Sequence, residues 1–258
     1  MKSPTLAYYR DLMLVLLAKE FKVRYKNTLL GYAWSLVHPL LFAGVFFLVF
    51  RVLMRVETEA PYVLFLITAL FPWQWFANSV NAANFFFLAN SSLIKKVRFP
   101  REFLVFAGVL NDLVHFVISI PVIVVFLLWF GYRPSVHWVW QVPVLVAVQF
   151  FITQGLALIV ATSNLFFRDL ERLTGIFMLL WFYLTPVIYP RGLLVEKGCT
   201  WMLYANPMAS LIVCWREVFL NGTLPPLMLG AAAGFGLVTF LVGRALYRSL
   251  EWRFAEIV

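Results

Sequence analysis

The sequence predicts an all-α protein that crosses a membrane several times. Of its 258 residues 63% are hydrophobic and only 13% charged, and mean hydropathy is positive, whereas a soluble domain carries about a quarter charged residues. Charge-free apolar runs long enough to cross a ~30 Å hydrocarbon core recur along the chain. The charges collect in the short segments between them. The expected architecture is one domain over 1–258 with six transmembrane helices, an N-terminal amphipathic interface helix, and short re-entrant or gate helices between the fifth and sixth spans.

Each element follows from its residues. Residues 6–28, LAYYRDLMLVLLAKEFKVRYKNT, start apolar and end basic. They read as a helix lying in the membrane interface with Lys and Arg reaching toward headgroups, or packed on the rest of the cytoplasmic face. The first span, 29–50, contains His38-Pro39, where the missing N–H bends a helix. The second, 62–86, kinks near Pro72 and places Asn78, Asn81 and Asn84 on one face by their three-residue spacing. The third, 103–130, carries Asp112 and His115; the fourth, 138–164, carries Gln149 and Gln154. The fifth, 173–189, breaks at Thr185-Pro186, and the last is expected at 224–244. The stretch 190–222 is too mixed and too broken for an ordinary span. Such backbone is tolerated at membrane depth only when buried in protein or lining a cavity.

Charge orients the chain. An even number of spans puts both termini on one side, and fifteen Lys and Arg residues fall on that side against six on the other. The positive-inside bias therefore places both termini in the cytoplasm and 190–222 outside. In a chain this apolar the basic excess is expected to meet anionic lipid rather than nucleic acid. No GxxxxGK[ST] loop, HExxH or CxxC occurs, and the three histidines are scattered, so nothing points to an ATP site, a metal or a cofactor in this chain. Nothing argues for an enzyme.

Several residues invite a role. Asp112 is the acid placed well inside a span, where a carboxylate costs roughly 2.5–3.5 kcal/mol and is usually partnered. A hydrogen-bonded strut between helices is preferred to a proton relay, because no second acid accompanies it. Gly230, Gly234 and Gly236 suit a close helix approach, within the chain in preference to a subunit seam. Cys199 and Cys214 read as small buried hydrophobes, with a pairing left open. Tyr32, Trp34, Trp73, Trp75, Trp181, Tyr183 and Tyr189 lie near span ends and breaks. Ring faces flanked by Asn and Gln suit sugars, whose C–H faces stack while their hydroxyls hydrogen-bond.

An ordered set of segments then carries a resemblance. It comprises FKVRYKNTLLGYAWSLVHPL (21–40), LFPWQWFA (70–77), SLIKKVRFPR (92–101), NLFFRDLER (164–172), TPVIY (185–189), NPMAS (206–210) and WREVFLNG (215–222). Over nearly the whole chain, this set resembles the membrane subunit of ABC-2 type polysaccharide exporters, and within them the O-antigen exporter permeases. The resemblance implies a homodimer in the bacterial inner membrane that binds two copies of a separate ATPase carrying ATP and Mg. It implies export of an undecaprenyl-diphosphate-linked glycan. Capsule or teichoic-acid exporters stand as the alternative, and drug or lipid exporters and a membrane glycosyltransferase stand lower. It places ATPase contacts at Lys96, Arg101, Arg168 and Asp169, and an outer gate at Arg191, Asn206, Pro207, Arg216 and Glu217, with Arg191, Arg216 and Glu217 as candidates for the gate's polar rim. A basic entrance of Arg24, Lys26, Lys95 and Arg98 fits a lipid diphosphate, which such groups bind by charge-assisted hydrogen bonds.

Overall fold

The computed structural model describes residues 6–24, 33–97 and 99–254, and among the described residues every regular element is a helix. In chain order these are α1 (Leu6–Arg24), α2 (Trp34–Phe46, prolonged by a π-helical stretch Phe47–Leu53), α3 (Tyr62–Phe86), α4 (Ser91–Lys96), α5 (Glu102–Trp129) and α6 (Trp138–Phe166). Then come α7 (Leu170–Leu184), α8 (Arg191–Glu196), α9 (Trp201–Ala205), α10 (Pro207–Asn221) and α11 (Pro226–Leu250). Among the described residues five stretches are long and apolar enough to cross a membrane: Leu36–Leu53, Tyr62–Phe86, Glu102–Trp129, Trp138–Phe166 and Pro226–Arg253. The expected fifth span is α7. Its 15 residues rise only about 22 Å, so the helix alone falls short of a bilayer core.

The long helices run alternately between two ends. At one end Tyr62 Oη donates to Ile188 O at 2.8 Å, Trp138 Nε1 to Val218 O at 2.8 Å, and Gln141 Nε2 to Gly222 O at 2.9 Å. At the other, which carries the basic segments, Arg101 Nη1 donates to Glu251 O at 2.6 Å and the Tyr247 hydroxyl accepts from Glu102 N at 3.2 Å. There too Lys19 Nζ donates to the Asn90 side chain. Helix α1 packs on this basic end through buried Leu16 and through Tyr9, whose ring stacks on Phe103 at 5.5 Å.

Helix α3 is the hub. Its apolar window is 78% buried, against 11% for Leu36–Leu53. Pro39, Pro72, Pro121 and Pro143 all sit inside helices, which a membrane helix tolerates when neighbours satisfy the disturbed backbone. At Pro72 the neighbour is Gln149 on α6. Its Nε2 donates to Pro72 O at 2.7 Å, and its Oε1 accepts from Trp215 Nε1 of α10 at 2.7 Å. One buried amide thus fastens three helices. Asp112 on α5 accepts from Ser79 Oγ of α3 at 2.9 Å, so it takes part in a contact between helices.

Of the three glycines expected at a close helix approach, only Gly236 lies at one. A Cβ at Gly230 or Gly234 would meet nothing within 4 Å. The seam instead joins Gly236 and Gly243 of α11 to α6. A Cβ on Gly236 would lie 3.0 Å from Ile152 Cγ1, and one on Gly243 would strike Gly155 O. A Cβ on Gly155 would lie 2.5 Å from the backbone of Thr239 and Phe240. Gly236 and Gly243 are seven residues apart, two turns on one face. We expect Gly243→Val to cost about 1–3 kcal/mol by overpacking, read as a lower unfolding temperature in detergent. Gly230→Ala and Gly234→Ala should unfold as the wild type does.

Candidate functional site

Three places concentrate chemistry. The first is a groove of about 310 Å³ between α2, α3 and α7. One wall presents Gln74, Asn78 and Asn81, a stripe spaced at i, i+4 and i+7 along α3. Trp73, Phe182 and Tyr183 supply ring surface, with His38 and Phe42 opposite on α2. Of the aromatic candidates, the groove gathers Trp73 and Tyr183. Trp75 points away and stacks on Phe116 of α5 at 5.5 Å, inside the core. Trp181 lies behind the groove, edge-on to Phe76 at 5.2 Å. Trp34 is exposed one turn before His38, and Tyr189 donates its hydroxyl to Tyr183 O at 3.2 Å. Tyr32 lies outside the described residues. Sequence reading missed Gln74, although it extends by one turn of α3 the spacing that flagged Asn78 and Asn81, and it took His38 only as the residue before a helix bend.

The second place is a knot at the end opposite the basic one. Thr185–Pro190 leaves helix geometry between α7 and α8, so its carbonyls need partners from elsewhere. Arg216 on α10 provides them. It is 7% exposed, and its Nη2 donates to Pro186 O at 3.0 Å and Val187 O at 3.1 Å, with longer bonds to Phe65 O at 3.4 Å. The guanidinium also lies 3.5 Å from the Phe65 ring centroid, within cation–π range. The Glu59 and Glu217 carboxylates border the same crevice as Arg216. Arg216 is therefore an internal strut, where the sequence suggested a polar rim. Its neighbour Glu217 faces Arg191 in an ion pair at 2.9 Å.

Asn206 ties the same segment from the other side. Its Oδ1 caps α10 by accepting from Met208 N and Ala209 N, and accepts from Trp181 Nε1 at 2.8 Å. Its Nδ2 donates to Thr185 Oγ1 at 3.0 Å and Leu184 O at 3.3 Å. Pro207 takes the first helical position, where its missing N–H costs nothing. The motif closes at Gly222, whose φ of 66° ends α10 in the left-handed region. Cys199 and Cys214 are free thiols, and Cys214 is buried.

The third place is a cleft of about 740 Å³ at the basic end, bounded by Lys95, Lys96, Arg101 and Glu102 and by Arg248, Glu251 and Trp252 from the end of α11. Arg168 and Asp169 are exposed on the turn before α7, outside this cleft. Lys26, Arg98 and the side chain of Arg24 lie outside the described residues, so of the proposed entrance only Lys95 is placed. Among the described residues no group of His, Cys, Asp and Glu is arranged to hold a metal.

Residues 11–220 match the family model described as ABC-2 type transporter. The chain belongs to the ABC-2 type transporter family. Among relatives of this ABC-2 protein, the O-antigen export system permease protein RfbA of Klebsiella pneumoniae is 44% identical over 253 residues, covering 98% of this chain and 97% of the relative. The protein of the same name from Myxococcus xanthus is 34% identical over 254 residues, covering 97% and 96%. Identity falls to 21% over 245 residues for the polysialic acid transport protein KpsM of Escherichia coli, with 92% of each chain covered. Family and relatives together make this ABC-2 chain a membrane permease and not an enzyme.

The two hubs of the knot make separable predictions. Arg216→Gln should destabilise the chain by about 1.5–3 kcal/mol, the worth of a hydrogen bond to a charged group. Asn206→Ala should lose about 1 kcal/mol for the cap and more for the other three bonds. Asn206→Asp keeps the acceptor and should recover the cap and the Trp181 bond, but not the two bonds that Nδ2 donates. Thermal unfolding of the purified variants checks all three.

Proposed function

We propose that this chain is the permease subunit of an ATP-driven exporter that carries an undecaprenyl-diphosphate-linked O-antigen glycan across the bacterial inner membrane. The carrying observation is the groove, where a ladder of amide side chains on α3 faces the rings of Trp73, Phe182 and Tyr183. Amides exchange hydrogen bonds with successive hydroxyls, and ring faces accept whichever sugar follows. Loose, repeated contacts of this kind suit passage better than one tight site. The O-antigen reading is preferred to a capsule reading because the relatives named for O-antigen export stand at 44% and 34% identity, against 21% for the polysialic acid protein.

The rest of the machine follows from what this chain lacks or leaves open. The groove has walls on three helices and an open side, and the neighbouring faces of α2 and α7 expose Leu41, Val45, Ile176, Leu179 and Leu180. A second copy closes the groove into a path. ATP and Mg reside on two copies of a partner ATPase, which docks at the basic cleft through Lys96 and Arg101, with Arg168 and Asp169 beside it. Both termini then lie in the cytoplasm. The sixth crossing is completed by α7 together with the unwound Thr185–Pro190 and α8–α10, which form the outer gate held by Arg216 and Asn206. The entrance for the lipid diphosphate is basic, with Lys95, Arg24, Lys26 and Arg98 as its cations.

The deciding experiment expresses the chain with its nucleotide-binding partner in a strain lacking its own exporter and measures surface glycan. Restored surface glycan is expected. Unchanged intracellular accumulation of lipid-linked glycan, with the chain inserted at normal level, defeats the proposal. Replacing Asn78 and Asn81 with Leu should lower export at least about tenfold, since each lost hydrogen bond is worth about 1 kcal/mol, while protein level stays constant. Lys96→Glu with Arg101→Glu should abolish co-purification of the ATPase without affecting insertion.

A further inference from the structure

A second cleft, of about 640 Å³, opens at the end of the molecule opposite the basic one. Its volume falls within the ~300–1,000 Å³ of small-molecule sites. It is framed by the π-helical end of α2 (Phe47, Arg51), by Glu57 and Glu59 of the loop before α3, and by Phe130 and Tyr132 after α5. The loop is shaped locally: the chain turns at Arg55, with φ of 55°, and Thr58 Oγ1 donates to Ala60 O at 2.7 Å. None of Arg51, Glu57 and Glu59 makes an ion pair among the described residues; Arg51 has only a 3.4 Å bond to Val56 O. One cation and two anions thus face a common space with no ion pair between them.

The flanks of this cleft are apolar and exposed. Leu48 is 54% exposed, Val52 56% and Leu53 68% on the α2 side, with Leu128 at 56% and Trp129 at 84% on the α5 side. A hydroxyl-rich polymer would leave these faces uncovered. A lipid covers them with its chains while its headgroup enters the cleft. A purely anionic headgroup would satisfy Arg51 and be repelled by both carboxylates. A headgroup with phosphate and ammonium satisfies all three.

We propose that this cleft binds the headgroup of a zwitterionic aminophospholipid, with phosphate on Arg51, ammonium between Glu57 and Glu59, and acyl chains along the exposed faces of α2 and α5. The site borders the knot. Glu59 also faces the crevice that holds Arg191, Arg216 and Glu217, and Tyr62, which lines the cleft, donates to Ile188 O. The bound ammonium neutralises a carboxylate that the buried Arg216 senses. The proposal needs only that the chain sits in a membrane, and it stands apart from which cargo is exported.

The test is native mass spectrometry of the full chain, stripped of lipid in detergent and offered phosphatidylethanolamine and phosphatidylglycerol in equal amounts. The wild type should retain phosphatidylethanolamine about tenfold over phosphatidylglycerol, the ratio set by a charge-assisted hydrogen bond near the low end of its range. Glu57→Gln with Glu59→Gln should bring the ratio close to one, and Arg51→Gln should weaken both lipids. Arg51→Lys should keep binding, which separates loss of the site from loss of fold, and Arg133→Gln, at an exposed residue after α5 that does not line the cleft, should behave as wild type. Equal retention of the two lipids by the wild type overturns the proposal. So does a preference that survives the double Gln variant, or displacement of phosphatidylethanolamine by a soluble glycan fragment.

Discussion

A single buried guanidinium holds the least regular part of the molecule together. Segment 185–190 has left helix geometry, and its carbonyls would be stranded in a low-dielectric interior at a cost of about 1–3 kcal/mol each. Arg216 answers two of them at 3.0 and 3.1 Å and reaches the start of α3 besides. Because α3 is the most buried of the long apolar helices, the irregular segment is anchored to the molecule's fixed centre. Asn206, Tyr62 and the Arg191–Glu217 pair complete the arrangement. Remove the guanidinium and Pro186 O and Val187 O lose their side-chain donor, leaving only the ties at either end of the stretch.

Much of this architecture was legible in the chain, and the reason is solvent. An apolar run either crosses the bilayer or is buried, so the expected 62–86 matches α3, and 103–130 and 138–164 fall within two residues of α5 and α6. Prolines gave no false ends, since neighbouring side chains such as Gln149 repair the backbone. The helix expected over 173–189 is cut short because Thr185-Pro186 ends α7 at Leu184. Local pattern registers that break but not the tertiary bonds that make it tolerable.

The sites were less legible, for a related reason. The amide stripe could be found because helical spacing alone puts Asn78 and Asn81 on one face. Trp75 and Trp181 could not be told from Trp73, because an aromatic beside a helix end reads alike whether it faces a groove or a core. Arg216 looked like a rim residue because a charge is expected at a surface, and its carbonyl partners come from segments far away in the chain. The run of small residues suggested 230, 234 and 236, whereas the seam runs through 236 and 243. Which face of α11 meets α6 is a matter of assembly, not of pattern.

That seam has a mechanical consequence. Where Gly155 meets Gly243 two backbones touch with no side chain between them, and backbone does not yield as a methylene chain does. Helices α6 and α11 therefore move as one stiff lever. Its basic end frames the 740 Å³ cleft through Tyr247 and Arg248, and its far end grips α10 through Trp138 and Gln141. A push at one membrane face arrives at the other undamped, and the compliance of the molecule is left to α2 and α7, whose contacts are side chains that can slide.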